Sequence, residues 1–156
     1  MKKLLIYGGI VLLLFISLAV VSNVQQTKKA EGNPFGKDKL HSATTDLLDD
    51  PNYQNVILPD ELSERLSQGD DVTVYFYSST CPYCKEATPR LVPLAEEVGV
   101  DLVQYNVLEF EAGWSDYNID STPTLIHFEN GEEKERIVGA ASNEEYTAFF
   151  NDHVLK

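Results

Sequence analysis

Uncharged, mostly apolar positions fill the start of the chain from Leu4 to Val24, directly behind the basic pair Lys2 and Lys3. As a helix, a run of about twenty residues spans the hydrocarbon core of a bilayer. It is longer than the apolar stretch of most cleaved signal peptides, and Val20-Val21-Ser22 is a poor small-residue cleavage site. Residues 1–24 therefore read as an uncleaved signal-anchor and transmembrane helix, with secretion after signal cleavage as the alternative. No cysteine follows the run to carry a lipoprotein anchor. Lys2, Lys3 and the terminal amine favour an N-terminus held inside and a body held outside the membrane, and Lys28 and Lys29 weaken that preference slightly. From residue 25 to 54 the pattern turns polar and rich in turn formers (QQTKKAEGNPFGKDK, then HSATTDLLDDPN), which predicts a tether.

Beyond residue 55 the periodicity changes. Asn55 to Leu58 is a short strand candidate, and Pro59 opens a helix with Leu62 and Leu66 one turn apart, ending at Gly69. The β-branched and aromatic run Val72 to Tyr77 (VTVYFY) predicts a central strand buried on both faces. Ala87, Leu91, Leu94, Ala95 and Val98 recur at helical spacing, Gly99 stops that helix, and Pro89 lies inside it and should kink it. Asp101 to Val107 predicts a strand and Glu111 to Tyr117 a short helix. Thr124 to Phe128 and Glu135 to Val138 are strands joined by a turn holding Asn130-Gly131. Ser142 and Glu145 form a capping box for a last helix carrying Tyr146, Phe149 and Phe150. The order β-α-β-α-β-α-β-β-α predicts an α/β fold over residues 55–156, with a mostly parallel sheet covered on both faces and an antiparallel terminal hairpin.

Charge narrows the function. All 25 acidic residues lie beyond residue 24, where ten of the twelve Lys and Arg also fall, so that part carries a net charge of −15. Such a surface excludes a basic nucleic-acid footprint and adhesion to anionic lipid headgroups.

Cys81 and Cys84 are the only cysteines, as Cys-Pro-Tyr-Cys between a buried strand and a helix. At a helix N-terminus the backbone N–H groups and the dipole favour an anion, so Cys81 is the candidate thiolate. Cys84, one turn in, is placed to resolve a mixed disulfide on Cys81. Such exchange needs no metal and no organic cofactor. A structural disulfide closing so short a loop would constrain little of the unfolded chain. A metal site would need further ligands at matching spacing, whereas His41, His127 and His153 are scattered over tether, strand and last helix. Lys85 adds a positive charge beside the pair.

Together these residues resemble the thioredoxin superfamily. Cys81-Pro82-Tyr83-Cys84 opens a helix with Lys85 and Pro89 behind it; Ser121-Thr122-Pro123-Thr124 leads a strand at the right distance; Phe128 to Glu132 looks like the family's hairpin and Val138-Gly139-Ala140 like its last turn. The resemblance implies a thioredoxin-like fold with a mixed central sheet flanked by helices, and a redox-active disulfide between Cys81 and Cys84. It also implies a cis-proline loop at Pro123 facing the cysteines, with Thr122 pairing with the substrate backbone and Pro82 and Tyr83 at the substrate-binding surface. Tyr75 stands where thioredoxins bury an aspartate near the resolving cysteine, and a tyrosine is a poor base at neutral pH. Pro-Tyr is the glutaredoxin dipeptide, but no Gly-Gly segment follows the hairpin, so glutathione dependence is not expected. Anchored and facing outward, the chain is similar to small bacterial cell-envelope thiol–disulfide oxidoreductases. That similarity implies protein thiol and disulfide substrates and a membrane redox partner. The alternative is a non-enzymatic envelope chaperone or assembly accessory using the proline groove for binding. Trp114 and His127 are expected to serve packing and the sheet.

Overall fold

The computed structural model describes the backbone of residues 2–30 and 32–155, without the side chains of residues 2–6, 19 and 23–30. Helix α1 (Lys2–Ala30) is followed by α2 (Ser42–Thr45), a 3-10 turn (Pro51–Tyr53), α3 (Pro59–Ser67), β1 (Val72–Tyr77), α4 (Pro82–Val98) and β2 (Leu102–Asn106). The chain then forms α5 (Ala112–Asp116), β3 (Thr124–Glu129), β4 (Glu132–Val138) and α6 (Asn143–Phe149), which runs on as a π-turn to Val154. The strands form one sheet in the order β2-β1-β3-β4.

The sheet is mixed, as the resemblance implies, rather than mostly parallel as the order of elements suggests. β1 pairs in parallel with β2 (Val74 opposite Val103) and antiparallel with β3 (Val74 opposite Ile126), and β4 closes the edge antiparallel to β3. After β2 the chain stays at the same end of the sheet, through α5, and enters β3 from there. The Asn55 to Leu58 strand shrinks to a single parallel bridge, Val56 to Gln104, because Pro59 starts α3 at once. Gly99, in the left-handed region at φ 77°, caps α4, and Ser142 with Glu145 forms the capping box of α6.

Every residue of β1 is buried, and its alternation feeds two cores. Tyr75 and Tyr77 point to the layer of α4 and α6, with Cys84, Leu91, Leu125, Tyr146 and Phe150. Val72, Val74 and Phe76 point to the layer of α3, with Ile57, Leu62, Tyr105 and Ile126.

Two boundaries differ from expectation. Helix α1 continues through residues 25–30, which the pattern assigned to a tether, and residues 33–54 pack on the domain. Phe35 and Leu40 are buried there against Leu48, Val56 and Phe110, and Tyr53 joins the core beside Cys84. Lys37 reaches the carboxylate of Glu109 at 3.3 Å, donates to the Glu109 carbonyl and lies 5.1 Å from the Phe110 ring centroid. The segment reads as polar because its few apolar residues are scattered without a period, yet each finds its own niche. Among the described residues no helix is long and apolar enough to cross a membrane. Leu4, Leu5, Ile6, Ala19, Asn23 and Val24 of the expected span have side chains outside the described residues.

Candidate functional site

Parallel pairing of β1 and β2 sends both C-terminal ends to one end of the sheet, and antiparallel β3 begins there. The turn Ser78–Cys81, the α5 loop and the Ser121–Pro123 loop therefore gather at one edge. Cys81 is the N-cap of α4, with Pro82 in the first turn, where its missing N–H costs nothing. The Cys84 backbone N–H donates to Cys81 Sγ at 3.2 Å, and the Cys81 thiol donates to the Thr122 carbonyl at 3.3 Å. Thr122–Pro123 is a cis peptide, and the Gly139 N–H donates to the Pro123 carbonyl at 2.8 Å. The structure thus brings Cys81, Cys84, Thr122 and Pro123 together, with Pro82 and Tyr83 exposed at the rim; Tyr83 is 65% exposed.

The two sulfurs differ sharply. Both cysteines are free thiols, Cys81 half-buried and Cys84 fully buried. Burial alone raises the Cys81 pKa, but hydrogen bonds from the Cys84 thiol, the Thr122 side chain and the backbone N–H groups of Cys84 and Tyr83 outweigh it and bring it below the ordinary thiol value. Cys84 is pushed up to about 12 by its burial and then by donating its proton to Cys81. The pair therefore joins a thiol that ionises more readily than usual to one that holds its proton, the division of labour that exchange chemistry uses.

Cys84 sits among phenols. Tyr75 hydrogen-bonds the Thr88 hydroxyl at 3.0 Å, and that hydroxyl donates to the Cys84 carbonyl at 2.7 Å. Tyr53, Tyr75, Tyr77 and Tyr146 all have pKa values raised first by burial and further by the nearby Cys84. They are neutral at physiological pH and supply no base.

Trp114, expected to pack, is 36% exposed on α5. His127 is a buried sheet residue whose Nδ1 lies 3.0 Å from the Thr73 hydroxyl. His41 caps α2, its Nδ1 accepting from the Ala43 N–H at 3.1 Å, and His153 lies against Phe149. Among the described residues no group of three or more His, Cys, Asp or Glu is placed to hold a metal ion.

A buried hydroxyl–amide cluster beneath the Cys81 turn escaped the sequence reading. Thr44 Oγ1 lies 2.9 Å from Ser79 Oγ, and the Asn106 side-chain amide donates to Ser79 Oγ at 2.9 Å and toward Thr44 Oγ1 at 3.4 Å. Its members stand 27 to 62 residues apart along the chain, so no local pattern announces it.

The Thioredoxin family profile matches residues 54–152. The thioredoxin of Mycoplasma genitalium is 33% identical over 93 residues, covering 59% of this chain and 91% of that protein. Thioredoxin C-2 of Corynebacterium nephridii is 31% identical over 115 residues, 72% of this chain and 99% of that one. Among solved structures, a mutant thioredoxin from Halobacterium salinarum superposes with a TM-score of 0.54 at 28% identity, covering 62% of this chain and 86% of that one.

Proposed function

We propose that this chain, which belongs to the thioredoxin family and is a thiol–disulfide oxidoreductase, carries out exchange through Cys81 and Cys84 on protein substrates outside the cytoplasm, held at the membrane by its N-terminal helix. The observation that carries the chemistry is the asymmetric pair: Cys81 at the open N-terminus of α4 with a lowered pKa, Cys84 buried behind it and protonated.

In the reducing direction the Cys81 thiolate attacks one sulfur of a substrate disulfide. The substrate S–S bond breaks, a mixed disulfide forms, and the other substrate sulfur leaves as a thiolate that takes up a proton. Cys84 then gives up its proton and attacks Cys81 Sγ. The mixed disulfide breaks, the second substrate thiol leaves, and the Cys81–Cys84 disulfide holds the oxidised state. Two electrons pass from the pair to the substrate, and the oxidation of a substrate dithiol is the same path reversed. In this scheme the Thr122 backbone, 3.3 Å from Cys81 Sγ through its carbonyl, aligns the incoming peptide, while Pro82, Tyr83 and Pro123 form the contact surface.

Membrane attachment is supported by the uncharged run Leu4–Val24 and by α1's apolar surface. Leu12, Leu13, Phe15, Leu18 and Val21 are each more than half exposed, as expected of a helix whose partner is lipid. The lysines ahead of the run support an outward-facing domain. A membrane redox partner would then reload the pair.

The test is to equilibrate the full chain in detergent micelles with glutathione redox buffers and read the oxidised fraction of the pair. A potential near or below about −260 mV assigns it as a reductant, and one above about −180 mV as an oxidant of secreted thiols. A folded protein whose pair never exchanges would instead be a binding accessory.

A further inference from the structure

The matched family region begins at residue 54, yet residues 33–53 reach the neighbourhood of both sulfurs. We propose that this preceding segment is a positioning element of the thiol–disulfide centre, in which Thr44 fixes the Ser79 turn that presents Cys81 and Tyr53 walls Cys84 off from solvent. The inference rests on the redox reading above.

Thr44, Ser79 and Asn106 are each at most 1% exposed. Asn106 ends β2 and is itself fixed, its Oδ1 accepting from the Leu108 N–H at 3.0 Å. Ser79 Oγ accepts from Asn106 and shares a second hydrogen bond with Thr44 Oγ1, 2.9 Å away, in which either hydroxyl can donate. Ser79 is two residues before Cys81, and the same turn is closed by the Cys81 N–H donating to the Ser78 carbonyl at 3.0 Å. Without Thr44 the buried Ser79 hydroxyl is left with Asn106 alone, whose amide keeps its contacts to Ser79 and to the Tyr77 hydroxyl at 3.4 Å, and the turn can relax only by moving the N-cap that Cys81 provides. That movement lengthens the hydrogen bond from Cys84 N–H to Cys81 Sγ, which stabilises the thiolate and with it the reduced form.

Tyr53 acts on the other sulfur. It is 6% exposed, its ring centroid lies 5.2 Å from that of Tyr77, its phenol interacts with Thr88, and it belongs to the core cluster that holds Cys84. The segment is locked from outside by Glu109, whose carboxylate accepts from the His41 N–H at 2.9 Å and pairs with Lys37. A solvated linker would need none of these contacts.

The experiment compares the full chain with Thr44→Val, Thr44→Ser and Tyr53→Ala, reading the redox equilibrium with glutathione and the number of thiols alkylated by iodoacetamide. Thr44→Val is expected to shift the equilibrium toward the disulfide by about threefold or more, and Thr44→Ser, which keeps the hydroxyl, to restore the wild-type value. Tyr53→Ala is expected to make Cys84 alkylatable in the reduced, folded protein, where the wild type reacts at Cys81 alone. Thr44→Ala carries the same equilibrium test should the valine variant not fold. Variants that fold with the wild-type equilibrium and a silent Cys84 overturn the inference and leave the redox reading standing. A wild-type chain that does not exchange overturns both.

Discussion

Cys81 and Cys84 share the first turn of α4 but titrate apart, because one sulfur meets N–H donors at the helix end and the other meets none that burial does not outweigh. In the reduced protein, iodoacetamide should modify one thiol. Its rate should rise with pH through a midpoint below the ordinary thiol value of 9.0, Cys84 should stay silent to about pH 10, and Cys81→Ala should remove the fast phase. Two thiols reacting with one common midpoint would contradict the asymmetry. Tyr75 poses the opposite case. Its phenol hydrogen-bonds Thr88 rather than a sulfur, so Tyr75→Phe should cost about 1 kcal/mol in urea unfolding and leave the exchange rate within about twofold. A tenfold loss of exchange at unchanged stability would make Tyr75 a proton carrier.

The elements on either side of the site are held by close approaches more than by charge. At the β3–β4 turn both Asn130 and Gly131 have positive φ, 53° and 78°, the pattern of a tight hairpin turn. Gly131 does more than turn the chain: a Cβ there would strike the Leu66 carbonyl at the end of α3, and its N–H donates to the Asp70 carbonyl at 3.2 Å. Gly131→Ala is therefore expected to destabilise the protein by about 1–3 kcal/mol, measured by urea denaturation, with the potential of the distant cysteine pair unchanged. The dipeptide announced the turn, whereas α3's approach became visible only once the turn was packed. Helix α4 was legible for a local reason, since its apolar spacing, Gly99 and the cysteine cap are all written within nineteen residues. The segment 33–54 was not, because Phe35, Leu40 and Tyr53 are buried one at a time by partners far along the chain.

Across the whole molecule the central sheet carries a pH-dependent weak point. His127 is buried on β3 and its pKa is lowered, first by that burial, with Asp71 and Glu129 opposing. A histidine whose folded pKa lies below its unfolded value of 6.5 adds stability that is fully present above pH 6.5 and is lost as pH falls through the folded value. The stability of the wild-type chain should thus fall below about pH 6.5, and His127→Gln should flatten that part of the profile in thermal melts taken at constant ionic strength. Parallel profiles for the two proteins would show that His127 is not the group responsible.

The amino-acid order alone was enough for the cysteine pair at a helix start, the strand VTVYFY buried on both faces, the Asn-Gly hairpin and the capped last helix. Each is set by contacts within a few residues or by a simple period, so propensity, capping and burial act in the same window of chain. Long-range assembly decided the rest. Pairing β3 antiparallel to β1 made the sheet mixed and put the Thr122 carbonyl against Cys81. Folding residues 33–54 back onto the domain turned a polar stretch into a wall around Cys84 and a brace beneath Ser79. Those outcomes depend on which buried polar group meets which partner across tens of residues, and hydrogen bonds of that kind carry no periodic signature in the chain.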